Sequence, residues 1–108
     1  EAGLKEIIKK IQDGGAQVVV CTPSVIGEFK EGKNNLDKQL DEYSEISRKV
    51  AKDTKSTLCD LRKAFLDHLK ENNKDNKEKG ILTSDRVHLN EAGNRFVADT
   101  MLKVLAAK

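Results

Sequence analysis

Tryptophan is absent from this 108-residue chain, and three Phe and one Tyr bring the aromatic share to only 4%. That scarcity excludes the stacking platforms that hold single-stranded nucleic acid, which need several aromatic faces in succession. No charge of one sign dominates either. Twenty Lys and Arg stand against 18 Asp and Glu, interspersed along most of the chain, for a net charge of +2. A nucleic-acid surface requires a basic stripe instead. No apolar run approaches the roughly 18–20 residues that cross a bilayer. Residues 1–12 have helical rather than signal-peptide organisation. Cysteine is limited to Cys21 and Cys59, without the CxxC pairing of redox and zinc sites. Two buried free thiols are therefore expected rather than a disulfide, and they lean towards a reducing, cytoplasmic compartment without deciding it.

Charged residues make up 35% of the chain, and the apolar ones fall into periodic runs, which a disordered segment does not show. Leu4, Ile7, Ile8 and Ile11 predict an amphipathic helix over residues 2–13, stopped by Gly14 and Gly15. Val18, Val19, Val20 and Cys21 make residues 16–22 a β-branched run of the kind found in parallel strands covered on both faces. Pro23 ends it, and a loop runs to Asn35. Leu36, Leu40, Tyr43, Ile46 and Val50 step by three or four, predicting a helix over 36–55. Residues 56–59 read as a second short strand, and Leu61, Ala64, Phe65 and Leu69 define a third helix. Residues 70–79 hold only Lys, Glu, Asp and Asn and are expected, with Gly80, as an exposed charged loop or frayed helix end. After an irregular stretch over 81–89, Asn90 is placed to cap a last helix with a core face of Phe96, Val97, Leu102, Val104 and Leu105.

Strands alternating with helices predict an α/β fold with a parallel sheet built from βαβ units. Two strands fall short of the three or more that an independent sheet needs, so a partial domain is expected. No internal repeat is visible.

Thr83-Ser84-Asp85-Arg86-Val87-His88-Leu89-Asn90 carries the sharpest chemical signal, a carboxylate three residues before an imidazole and just ahead of a capped helix. A general base needs its imidazole held in one tautomer by an acceptor on one ring nitrogen, leaving the other free to take a proton. Asp85 can be that acceptor. Open α/β sheets also place ligand sites on loops beyond the carboxyl ends of their strands. The plainer alternative is a helix cap beside a surface imidazole. His68, next to Asp67, reads as a packing or surface residue, since a metal role needs further ligands. Ser24 lacks the sharp strand-to-helix turn that presents an activated serine.

Asp85-Arg86-Val87-His88-Leu89-Asn90, followed by Glu91-Ala92-Gly93 and an apolar helix, resembles the last conserved block of the SGNH or GDSL-type hydrolases, where the family carries DxxH. Upstream, Val18-Val19-Val20-Cys21-Thr22-Pro23 is similar to the family's late strand ending in a Thr-Pro turn, and residues 36–55 to the helix that follows. Residues 57–69 resemble a short strand running into a helix that begins near Asp60. The resemblance runs in order over nearly the whole chain.

It implies a three-layer α/β/α, flavodoxin-like fold of which this chain is the C-terminal part, the N-terminal strands lying outside it. It implies an esterase or lipase acting by Ser-His-Asp acyl transfer, with His88 as base then acid and Asp85 as its orienter. The substrate is then a small-molecule, lipid or sugar ester, and no metal or organic cofactor is called for. The family's nucleophile sits in a GDS block, and its oxyanion donors are that serine's N–H, a Gly, and the Asn of a GxND block. None of these blocks occurs in this sequence, and Ser84-Asp85 belongs to the DxxH block. The segment alone is therefore expected to be inactive and to associate with its own N-terminal half or with itself. The rival reading is a non-catalytic module that keeps the hydrolase frame and binds a partner protein through its charged helices.

Overall fold

A computed structural model describes residues 1–107. Strands β1 (Val19–Cys21) and β2 (Thr57–Cys59) pair in parallel, with Val19 opposite Thr57, Val20 opposite Leu58 and Cys21 opposite Cys59. Successive strand residues point to opposite faces, and here the two faces enter separate cores. Val20, with Val18 just before the strand, packs against Ile8, Val50 and Ala51. Val19 joins Cys59, Phe65, Leu69 and Leu82 on the other side. Helices α1 (Ala2–Asp13) and α2 (Asp37–Asp53) supply the first core, and α3 (Leu61–Asn72) and α4 (Glu91–Ala106) the second. Three consecutive valines are needed because the sheet is covered twice. The result is an α/β/α arrangement on a two-stranded parallel sheet.

Ile8 is the one buried residue of α1, while Ile7 and Ile11 face outward. Lys5 reaches Asp53 and Lys49 reaches Glu1, both at 2.8 Å, but exposed pairs of this kind contribute only about 0–1 kcal/mol. Burial of Ile8 against Val50 therefore does more to seat α1. On α2 the buried positions are Asp37, Ser44, Val50 and Ala51, and Tyr43 of the apolar stripe stands in solvent. Asp60 caps α3 by accepting from the Lys63 N–H at 3.1 Å, a contribution of about 1 kcal/mol. Phe65, fully buried, meets the ring of Phe96 edge-on at 5.2 Å and ties α3 to α4.

Several expectations change. Residues 70–72 end α3 and the rest of 70–80 is exposed, but Asn73 departs from the expectation: it is buried, its amide donating to the carbonyls of Glu28 (2.6 Å) and Lys77 (2.9 Å). Leu102 and Leu105 do not join the core face of α4. At 100° per residue they fall on a second stripe with Met101, while Phe96, Val97 and Val104 turn inward. Both cysteines are free, but only Cys59 is buried, whereas Cys21 ends a strand with one unpaired edge and is exposed. Burial, followed by the neighbouring Cys21 thiol, pushes the Cys59 thiol up to about 11.

The long connection between β1 and α2 is fixed from beneath by Arg62, which is fully buried. Its guanidinium donates to Ser24 O (3.0 Å), Asp37 (3.1 Å) and Asp41 (2.9 Å). Asp37 also accepts from the backbone N–H groups of Gly32 and Asn34. Burial works against the charged Asp37 carboxylate, but the bonds from Asn34 and Arg62 outweigh it and hold the group below its ordinary range. Among the described residues, no helix is long and apolar enough to cross a membrane.

Candidate active site

Residues 81–90 leave the core at Leu82, which is buried, and return at Leu89, which bridges antiparallel to Thr83. The Ser84 N–H donates to the His88 carbonyl at 2.9 Å and the Asn90 N–H to the Leu82 carbonyl at 3.0 Å, closing a narrow loop. Within it, Asp85 folds back on its own chain. One carboxylate oxygen accepts from the N–H of Val87 (3.1 Å) and of His88 (2.7 Å), the local bonding that Asp favours in turns. The other lies 2.6 Å from His88 Nδ1.

The His88 backbone N–H, then its ring, then the Val87 N–H, hold the Asp85 carboxyl down at about 2. Near neutral pH the group is an acceptor only, so the proton of the Asp85–His88 bond sits on Nδ1. Nε2 of a neutral ring is then the one free to accept. The imidazole is 81% exposed, so that nitrogen faces outward.

Arg86, between the two, has φ +82°, a left-handed conformation that is uncommon outside glycine and costs on the order of 1–3 kcal/mol. Bonds on both sides hold it there: its N–H donates to Thr83 Oγ1 at 3.1 Å and its carbonyl accepts from the Gly27 N–H at 2.8 Å. Its guanidinium reaches Glu78 at 2.9 Å. Behind the loop, Asn90 caps α4 by accepting from the Gly93 N–H at 2.8 Å. Any side chain at Gly93 overlaps the Leu82 carbonyl oxygen, so glycine there lets α4 lie directly on the loop.

Asp85 and His88 are thus brought together. Ser84 is adjacent in sequence, but its hydroxyl points at the His88 carbonyl (3.4 Å) rather than at the ring. Ser24 is half-buried, with its carbonyl taken by Arg62. His68 stacks on Phe96 with ring centroids 4.7 Å apart, a packing role. Among the described residues no cluster of three or more His, Cys, Asp or Glu is placed to hold a metal ion. Sequence reasoning passed over Glu28, a buried carboxylate beneath the loop. Its one local signal is a lone charge within Val25-Ile26-Gly27-Glu28-Phe29, which has no periodicity to flag it.

The chain's structure is similar to that of an acetyl xylan esterase, AlAXEase, with a TM-score of 0.91 and 47% sequence identity, covering 94% of this chain and 52% of that one. Axe2, an acetylxylan esterase from Geobacillus stearothermophilus, is similar with a TM-score of 0.80 at 23% identity, over 96% of this chain and 44% of its own. LAE5, an alpha/beta hydrolase enzyme from the metagenome of Lake Arreo, Spain, gives 0.79 at 23% identity, over 95% and 44%. The last two bear on the fold alone. The chain spans about half the length of these proteins. No curated protein matches it. The model of the GDSL-like Lipase/Acylhydrolase family matches residues 1–96, a span that takes in both strands, three helices and the whole Asp85–His88 loop. With that match over most of its length, the chain belongs to the GDSL-like lipase/acylhydrolase family.

Proposed function

We propose that residues 1–108 are the C-terminal part of one ester-hydrolase domain, in which His88 and Asp85 act on a serine supplied from outside this chain. The observation that carries the reading is the 2.6 Å contact between Asp85 and His88 Nδ1 on an imidazole that otherwise faces solvent. With Asp85 taking the Nδ1 proton bond, Nε2 removes the serine proton as the oxygen attacks the ester carbonyl. The imidazolium then gives that proton to the departing alcohol, leaving an acyl-enzyme. Water repeats the sequence: His88 deprotonates it, the acyl–oxygen bond to serine breaks, and serine recovers its proton. Asp85 stays ionised throughout and stabilises the imidazolium.

The substrate proposed is an acetyl ester of a sugar, because the 47% identical neighbour is an acetyl xylan esterase. A cavity of about 290 Å³ lies against Arg86, with Phe29, Asn34 and Glu78 also lining it. Ile26, Leu36 and the Phe29 ring give it an apolar wall, with Lys33, Asn34 and Glu78 among the polar groups beside it, and neither Asp85 nor His88 lines it. The chemistry calls for no metal or organic cofactor.

His88→Ala in the full-length enzyme is expected to lower kcat on an acetyl ester on the order of 10⁴–10⁶-fold, as loss of a triad base does. A variant that keeps most of its turnover removes His88 from the mechanism. The 108-residue chain alone is expected to turn over activated acetyl esters no faster than free imidazole. Serine-dependent turnover by that chain overturns the assignment of the nucleophile.

A further inference from the structure

Glu28 is 1% exposed, and no Lys or Arg among the described residues lies within ion-pairing distance of it. A buried carboxylate without a cation is costly unless hydrogen bonds replace its water. Here three donors do so, and all belong to the stretch that opens the His88 loop. One oxygen accepts from the Ile81 N–H (3.1 Å) and the Thr83 hydroxyl (2.8 Å), the other from the Leu82 N–H (2.7 Å). Thr83 Oγ1, having given its proton to Glu28, accepts from the Arg86 N–H at 3.1 Å. Gly27, the preceding residue, donates its N–H to the Arg86 carbonyl at 2.8 Å. Residues 27–28 therefore grip the loop on both sides of Asp85, and they hold Arg86 in its left-handed conformation. The grip is itself anchored, since the Glu28 N–H donates to the Glu78 carbonyl (2.9 Å) and its carbonyl accepts from Asn73 (2.6 Å).

We propose that Glu28 is a positioning residue for the hydrolytic reaction: its carboxylate, through Thr83 and Arg86, sets the loop geometry in which Asp85 meets His88. The inference rests on the catalytic reading of that pair. Only a carboxylate satisfies this arrangement, because both oxygens must accept and all three partners donate. A glutamine in either orientation turns an NH₂ group towards a backbone N–H. Ionised acceptors also make the stronger, more directional bonds that a strained loop requires.

The test uses the full-length enzyme and an activated acetyl ester. Glu28→Gln is expected to lower kcat by about 10–100-fold, the scale of a misplacement near 1 Å, while KM changes by less than about twofold. The unaltered enzyme is expected to show a downfield His88 Nδ1–H proton resonance from the short bond to Asp85, and in Glu28→Gln that resonance is expected to weaken or vanish. Thr83→Val breaks the relay at its second member and is expected to do the same, whereas Thr83→Ser keeps the hydroxyl and most of kcat. A folded Glu28→Gln enzyme with unchanged kcat and an unchanged resonance overturns the proposal. If that variant does not fold, Thr83→Val decides, and unaltered kcat and resonance there overturn it equally. His88→Ala separates the two levels: an active His88→Ala enzyme removes the catalytic reading, and the resonance in Glu28→Gln still reports whether Glu28 sets the pair.

Discussion

Asp85 has two duties, turning its own loop and orienting His88, and both lower its pKa. Its carboxyl sits at about 2 against an ordinary 3.8, with the His88 backbone N–H as the leading cause. A pKa depressed on folding means stabilisation that is complete above the unfolded value and lost as pH falls through the folded one. The Asp85 contribution is therefore expected in full above about pH 4 and to vanish towards pH 2. Carboxyl-carbon NMR checks this directly, and a midpoint near 3.8 removes the bonds drawn to it. Asp85→Asn is expected to leave the loop in place yet cut kcat by about 10⁴-fold by favouring the wrong imidazole tautomer, a split that thermal denaturation and steady-state kinetics resolve together. This pair was legible in the sequence because three residues in one tight turn are placed by local geometry. Glu28 was not, because its partners lie 53 to 55 residues away and nothing local marks it.

The helices were legible from steps of three and four, and each strand from a short apolar run. What periodicity does not give is which stripe faces the sheet. In α4 two apolar stripes compete, and contact with Phe65 selects the one containing Phe96, leaving Leu102 62% exposed. The sequence is equally silent about Arg62, a charged residue on α3 that organises the connection between β1 and α2 from inside. Arg62→Met fills the space but strips buried Asp37 of its cation. A loss of about 3–5 kcal/mol is expected for a broken buried pair. An unshifted denaturation midpoint in the full-length enzyme would show that the backbone N–H groups of Gly32 and Asn34 suffice for Asp37.

Over the whole molecule, the radius of gyration is 14.8 Å, above the roughly 13 Å of a compact domain this long. The excess agrees with a chain that spans about half of its structural neighbours and has an unpaired edge on β1. The α/β class and the parallel pairing followed from the order of elements, whereas the layer count came through the family resemblance, since two strands alone do not fix it. Open strand edges recruit other chains, and α4 adds the exposed stripe of Met101, Leu102 and Leu105. The isolated chain is therefore expected to self-associate, with a mass by light scattering above the 12.0 kDa monomer. A monodisperse monomer would show that these surfaces are tolerated in water. The tie from Glu28 to Leu82 also has a consequence in time. It closes 54 residues of chain, and loop-closure entropy must be overcome before so distant a contact can form. Helices α2 and α3 and strand β2 are complete within that span, and β1 pairs with β2 across a shorter one, so these can form first. On refolding of the full-length protein, helical signal is therefore expected to return before the proposed hydrolysis does, leaving an interval in which the chain is folded but the His88 loop is not yet set.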